Sequence, residues 1–226
     1  MGARTVEAPI EYPFPAVAPR FRGVAHLAAF VAAVPLGAML VLHARAGVAQ
    51  VGAVAFAASV SMMLGVSSLF HRRAWTSTGR RWIRLLDHAM IYALIAGTYT
   101  PVALLVLDAG WQLPILTVVW GGAVVATAAR LLWPDAPSWL ASATCMALGW
   151  ISVTVLPQIV EGIGVGATAL LILGGIVYTV GAVVYTRRRP DPFPSTFGYH
   201  EVFHALVVVA LTCHYVTIAF FVLPRA

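Results

Sequence analysis

The sequence predicts an all-α, polytopic membrane protein: a seven-transmembrane helix bundle with a cytoplasmic N-terminus and an external C-terminus. Three observations carry this expectation. Hydrophobic residues make up 61% of the 226, charged residues only 10%, and mean hydropathy is +0.89, more apolar surface than one soluble globule can hide. The apolar residues fall into seven runs, each close to the roughly 20 residues a helix needs to cross a bilayer. The charges are also sorted: every basic residue is an arginine, and the arginines gather beside alternate runs.

Residues 1–21 hold Pro9, Pro13, Pro15 and Pro19 among mixed charges, without helical or strand periodicity, and are expected to form a short disordered cytoplasmic tail. Residues 22–226 form the transmembrane domain. The first run covers 23–42. Ala44-Arg45-Ala46 after it resembles a signal-peptidase site, but the run exceeds the roughly 7–15 residues of a signal-peptide core, so it is read as a retained helix. The second run covers 51–71 and leads into a link carrying Arg72, Arg73, Arg80 and Arg81. The third, 83–107, contains Asp87 near its start and Pro101 near its end, where proline should kink or stop the helix. Runs at 111–133, 139–156, 165–185 and 201–223 complete the count; the fifth is short and holds Trp150.

Charge orients the bundle. With the N-terminus inside, the cytoplasmic face collects Arg4, Arg20, Arg22, the arginines between 72 and 84, Arg130, and Arg187 to Arg189, leaving only Arg45 and Arg225 outside. That is the positive-inside pattern of a cell-membrane protein. The same placement accounts for the net charge of +6 without a nucleic-acid partner. Cys145 and Cys213 both fall inside apolar runs, where a thiol acts as a small hydrophobe and no disulfide framework is expected.

The chemistry starts at Gly198-Tyr199-His200-Glu201-Val202-Phe203-His204. Two histidines four positions apart on a helix differ by about 40° in direction and about 6 Å in height, so both imidazoles can reach one ion. A zinc that does chemistry usually takes three protein ligands and keeps a position open. His71 is the candidate third ligand. In the expected topology His71 ends the second helix at the inner face, Asp87 lies near the inner start of the third, and His200 and His204 open the seventh. Ionisable residues in apolar helices usually face a bundle interior, so these four groups converge at one depth. Alternatives exist for each: His71 as an interfacial residue, Asp87 as a partner of Arg84 three residues earlier, Ser67 as a donor to its own helix carbonyl. His88 points about 100° away from Asp87. His214 lies about 15 Å beyond His204 along the helix and reads as an interhelical hydrogen-bonding residue; His26 can only sit outside the ligand set, and His43 is on the far side.

These residues carry a family resemblance. Ser67-Ser68-Leu69-Phe70-His71, then Leu86-Asp87-His88 leading into Ile95-Ala96-Gly97-Thr98-Tyr99-Thr100-Pro101, then the 198–204 stretch, resemble the three signatures of the hemolysin III family. That family is a branch of the progestin and adipoQ receptor superfamily, which includes the adiponectin receptors and is distantly related to alkaline ceramidases. The resemblance implies that His71, His200 and His204 bind Zn2+, that Asp87 contacts the metal through water, and that Ser67 lies one turn from His71. Eukaryotic members have long extra N-terminal domains, so hormone recognition is not carried over.

Three neutral imidazoles leave zinc its full charge and let it acidify water to a pKa of about 7. Asp87 can take that proton and pass it to a leaving amine or alcohol. Ser67 can bond Asp87 or a substrate carbonyl, a supporting role rather than a nucleophilic one. The expected function is hydrolysis of a membrane lipid amide or ester near the cytoplasmic leaflet, with Asp87 and Ser67 as the catalytic pair. Competing expectations are a receptor or membrane-stress transducer with structural zinc, an intramembrane protease using Glu201 of the H-E-x-x-H pattern as base, and a haemolytic pore. The pore reading finds little support, because no helix face carries the run of charges that lines a water path.

Overall fold

The protein's computed structural model describes residues 19–134 and 136–225. Most of the expected tail, residues 1–18, lies outside these. Its last residues are tied down: Arg20 N donates to Ser195 O at 3.2 Å and Phe21 N to Thr196 O at 3.1 Å, docking the start of the first helix on the loop that precedes the last.

Among the described residues the regular structure is helical: α1 (Val24–His43), α2 (Val48–Arg72), α3 (Ser77–Val106), α4 (Ala109–Leu132), α5 (Ser138–Gly149), α6 (Leu156–Arg187) and α7 (Tyr199–Thr217). A six-residue 3-10 segment, Trp150–Val155, joins α5 to α6, and a wider π-helical turn, Ile218–Val222, followed by a short 3-10 turn, Leu223–Arg225, extends α7. Six continuous helical stretches are long and apolar enough to cross a membrane; the longest, Trp139–Arg187, has 49 residues. That stretch is not one rod. Gly164 has φ 81 and ψ 163, outside helical space, a conformation open to glycine and closed to most residues. Across it, Thr186 Oγ1 donates to Ser142 Oγ at 3.0 Å and Trp150 Nε1 to Thr179 Oγ1 at 3.1 Å. Pairs this symmetric about Gly164 require the chain to double back there.

The helices start and persist for identifiable reasons. Thr76 caps α3, its hydroxyl accepting from Gly79 N at 3.2 Å, so the helix begins before the expected residue 83 and takes Arg80, Arg81 and Arg84 into its first turns. Pro101 does not end α3, which runs on to Val106. It sits at a close approach of α2 and α3: a Cβ on Gly52 would lie 2.9 Å from Pro101 Cα. One turn earlier Gly97 faces Ser59 of α2 with no room for a Cβ. On the other side of the bundle, a Cβ on Gly174 of α6 would meet the His214 imidazole of α7 at 2.5 Å. Small residues thus set the helix spacing, as expected where lipid offers no hydrophobic drive to pack. Phe56, Leu64 and Ile218 fill the centre, while Leu42, Leu113 and Val165 stand more than two-thirds exposed on the outer faces, as lipid-facing side chains do.

Candidate metal centre

α2 delivers His71 in its last turn, and α7 delivers His200 and His204 in its first two. One ring nitrogen from each lies within 4.8 Å of the other two, and Nε2 of His71 and His200 are 3.2 Å apart. The rings meet edge to face: centroids are 4.7 Å apart for His71 and His200, 5.0 Å for His71 and His204, and 4.5 Å for His200 and His204, with interplanar angles of 72°, 60° and 61°. A tetrahedral ion with N ligands at 2.0–2.1 Å places those nitrogens about 3.3 Å apart. One pair is already at that spacing. His204 is 2% exposed and its Nδ1 has no hydrogen-bond partner, an unusual state for a buried ring nitrogen. The three residues therefore fit a metal ion, and a set of imidazoles suits zinc, copper, iron or nickel.

Other side chains hold these rings in place. Gly23, with φ 73, lies so close to the end of α2 that a Cβ there would sit 2.8 Å from His71 Cβ. His26 of α1 stacks on His204, centroids 3.8 Å apart and planes within 10°, and its Nδ1 is 2.9 Å from Ser67 Oγ. The Ser67 hydroxyl also lies near the Asp87 carboxyl. Ser67 is thus shared between a histidine brace and the candidate acid, while Asp87 stands outside the three-histidine cluster.

Glu201 has a different place from the one its H-E-x-x-H spacing suggests. It is 2% exposed; Oε2 accepts Gly198 N at 2.8 Å, closing a capping turn, and Oε1 pairs with Arg22 Nε at 2.6 Å. The carboxylate locks the start of α7 to the start of α1. Asp191 adds a second clamp by accepting Tyr199 N at 2.8 Å. Sequence reasoning missed the Arg22–Glu201 pair and the His26–His204 stack. The acidic residue three positions after Gly198 marks only the capping role of Glu201; neither long-range contact had a local sign.

Ser67, His71, Asp87, His200 and His204 all line one interior cavity of about 1620 Å3. Its walls pass from arginines at the end near Asp191 to Leu94, Val102, Ile159 and Leu171 deeper in the bundle. His88 also lines it, but its Nδ1 turns back to Arg84 O at 2.7 Å. His214 makes the expected interhelical contact, with Nε2 3.3 Å from Leu171 O.

Comparison with known proteins supplies the context. A family profile described as "Haemolysin-III related" matches residues 14–215. Hemolysin-3 of Bacillus cereus is 28% identical over 208 residues, which cover 90% of this chain and 91% of that protein. The Hemolysin-3 homolog of Bacillus subtilis is 28% identical over 153 residues, 68% of each protein. A short match of 49 residues, 43% identical and covering 20% of this chain and 16% of the other, links it to the ADIPOR-like receptor IZH2 of Saccharomyces cerevisiae. With the profile running from before α1 almost to the end of α7, this membrane protein belongs to the hemolysin III family, within the progestin and adipoQ receptor superfamily.

Proposed function

We propose that the protein is a zinc-dependent hydrolase of a membrane lipid amide or ester. The observation that carries this reading is the convergence of three imidazole nitrogens within 4.8 Å, beside a Ser67–Asp87 pair, in one large cavity with apolar walls. His71, His200 and His204 would hold the ion. When bound, it would polarise an acyl carbonyl and acidify water. Asp87 takes a proton from the attacking water and delivers it to the leaving nitrogen or oxygen as the acyl bond breaks. Ser67, close to that carboxyl, helps to orient it, and His26, held by Ser67, keeps the His204 ring from turning. Both Glu201 oxygens are engaged, so an H-E-x-x-H protease with Glu201 as base has less support.

We propose seven crossings alongside this reading. With the hairpin at Gly164 counted as two spans, the N-terminus and the metal centre lie on the arginine-rich cytoplasmic side of a cell membrane, and Arg45 and Arg225 lie outside.

The test is metal content by mass spectrometry on detergent-purified protein, wild type against His71→Ala and His204→Ala. About one zinc per chain, lost in both variants, is expected. Zinc absent from folded wild type, or retained in either variant, would remove the three-histidine site and the hydrolase with it. A broad panel of acyl-amide and acyl-ester lipids then tests turnover; zinc-loaded protein that cleaves none would leave the metal structural.

A further inference from the structure

We infer that the lipid-facing groove between α1 and α2 holds one anionic membrane phospholipid, its phosphate at Arg72 and Arg73 and an acyl chain along the outside of the bundle. This site lies on the outer face, apart from the interior cavity, and stands whether or not the protein is a hydrolase.

The groove follows from where the small residues fall. Gly37 and Ala57 let the two helices touch, a Cβ on Gly37 coming 3.0 Å from Ala57 Cβ, as small residues do between helices in lipid. Ala38, Ala58 and Ser61 beside that contact are too short to refill the space, while the exposed side chains of Val34, Leu42, Val54 and Met62 border it. The result is a furrow of about 1120 Å3, with Leu42 and Val54 at one end and Leu27 and Leu69 at the other. Leu27 to Leu42 is about 22 Å along α1, longer than half of the roughly 30 Å hydrocarbon core. A chain from one leaflet can lie along it for its full depth.

An apolar furrow alone would take any lipid; the arginines choose. α2 has 25 residues, about 37 Å of helix against the roughly 30 Å core, so its last turn stands at the level of the phosphates. Arg72 and Arg73 close the groove there, both exposed, and neither has an acid partner among the described residues. Arg72 is nonetheless held by its stem, since a Cβ on Gly23 at the start of α1 would meet its Cγ at 3.2 Å. Arg73 lies over the Trp75 ring, 5.6 Å from its centroid, which leaves the guanidinium edge free to donate. Topology explains positive charge on this side; it does not explain a furrow that ends at two positioned guanidinium groups. A phosphodiester there accepts charge-assisted bonds, and a neutral head group gains none. A second copy of the chain fits less well. Related by a two-fold axis along the membrane normal, two copies would bring four arginines together at one depth, with none of them matched by a described acid.

The experiment is native mass spectrometry of the full chain released from detergent, titrated with dioleoyl phosphatidylglycerol, dioleoyl phosphatidylcholine and dioleoylglycerol, which share their chains and differ in head group. Phosphatidylglycerol should be retained at about tenfold lower concentration than phosphatidylcholine, and dioleoylglycerol most weakly. Arg72→Gln/Arg73→Gln should erase the preference for phosphatidylglycerol, and Arg187→Gln/Arg189→Gln, exposed arginines outside the groove, should preserve it. Ala58→Phe, which fills the furrow at a residue that does not border the interior cavity, should weaken retention of both phospholipids severalfold and keep their order. Equal retention of the two phospholipids by wild type would overturn the inference. An equal loss of preference in the two arginine pairs would do the same, by reducing it to general attraction at a basic surface. So would Ala58→Phe that retains both phospholipids as wild type does, since the chain would then lie elsewhere. Dimers that Ala58→Phe disrupts, with no lipid retained, would give the groove to a second copy. Should the double variant fail to fold, Arg72→Gln alone, which borders the groove and not the interior cavity, reads the same preference.

Discussion

Glu201→Gln separates a structural carboxylate from a catalytic one. Glu201 is 2% exposed and its partner Arg22 16% exposed, with 2.6 Å between Nε and Oε1. Breaking a buried pair by removing one charge costs about 3–5 kcal/mol; because Arg22 still reaches some solvent, the low end applies, about 3 kcal/mol. Glutamine keeps an oxygen for Gly198 N, so the cap survives. Glu201→Ala removes it too, adding about 1 kcal/mol. Replacing both partners, Arg22→Met with Glu201→Met, should recover most of the loss, since no buried charge is then stranded. The assay is reversible unfolding in mixed micelles followed by tryptophan fluorescence; wild type, Arg22→Met, Glu201→Met and the double variant form a double-mutant cycle. Glu201→Gln that unfolds like wild type yet abolishes turnover with the metal retained would refute the argument and restore the protease-like role of the carboxylate.

Three further outcomes follow from the geometry. Asp87→Asn should keep its zinc, since Asp87 stands outside the three-histidine cluster, while lipid turnover falls about 10²–10⁴-fold, the usual worth of a general acid or base; metal analysis beside a turnover assay reads both. Gly23→Ala puts a methyl 2.8 Å from His71 Cβ at a φ of 73, so zinc content should drop and stability fall by at least about 1 kcal/mol, whereas Gly47→Ala, with φ 93 and open space around it, should bear only the backbone cost and keep its metal. Single cysteines placed at Glu161 and Pro190, in a background lacking Cys145 and Cys213, should be labelled by an impermeant maleimide from opposite sides of the membrane; labelling from the same side would remove the seven-crossing topology.

The apolar stretches were legible because a run of about 20 apolar residues is a signal of composition, read without any knowledge of packing. Their ends were not. The arginine-rich link looked like a loop, yet Thr76 caps a helix that absorbs most of it, and residues 156–163 stay helical until Gly164 turns the chain. Both places carry residues that read as breakers, Thr76-Ser77-Thr78-Gly79 in the first and Pro157 in the second, but each sits at a helix start, where such residues fit. The three histidines could be read from an i, i+4 spacing and from chain order through alternate crossings. The contacts that hold them could not: Arg22 to Glu201 and His26 to His204 each join residues some 180 positions apart, and no local periodicity reports such a pairing. Glu201 shows the hazard plainly, since its neighbours spell a protease motif while its oxygens close a helix cap and an ion pair.

Those long-range contacts share an origin that bears on how the site works. Arg20 and Phe21 bond the loop before α7, Arg22 pairs with Glu201, Gly23 abuts His71, and His26 covers His204 and holds Ser67. Within seven residues the entrance to α1 touches both helices that supply the candidate ligands, although it supplies none. α2 and α7 therefore need not find each other by direct packing at the metal end; each is registered against α1, and the ring nitrogens meet as a consequence. The arrangement places the first turn of α1 in control of ligand spacing, so a modest shift of that turn would open the 3.2 Å contact between His71 and His200 while leaving the apolar core around Phe56 and Leu64 untouched.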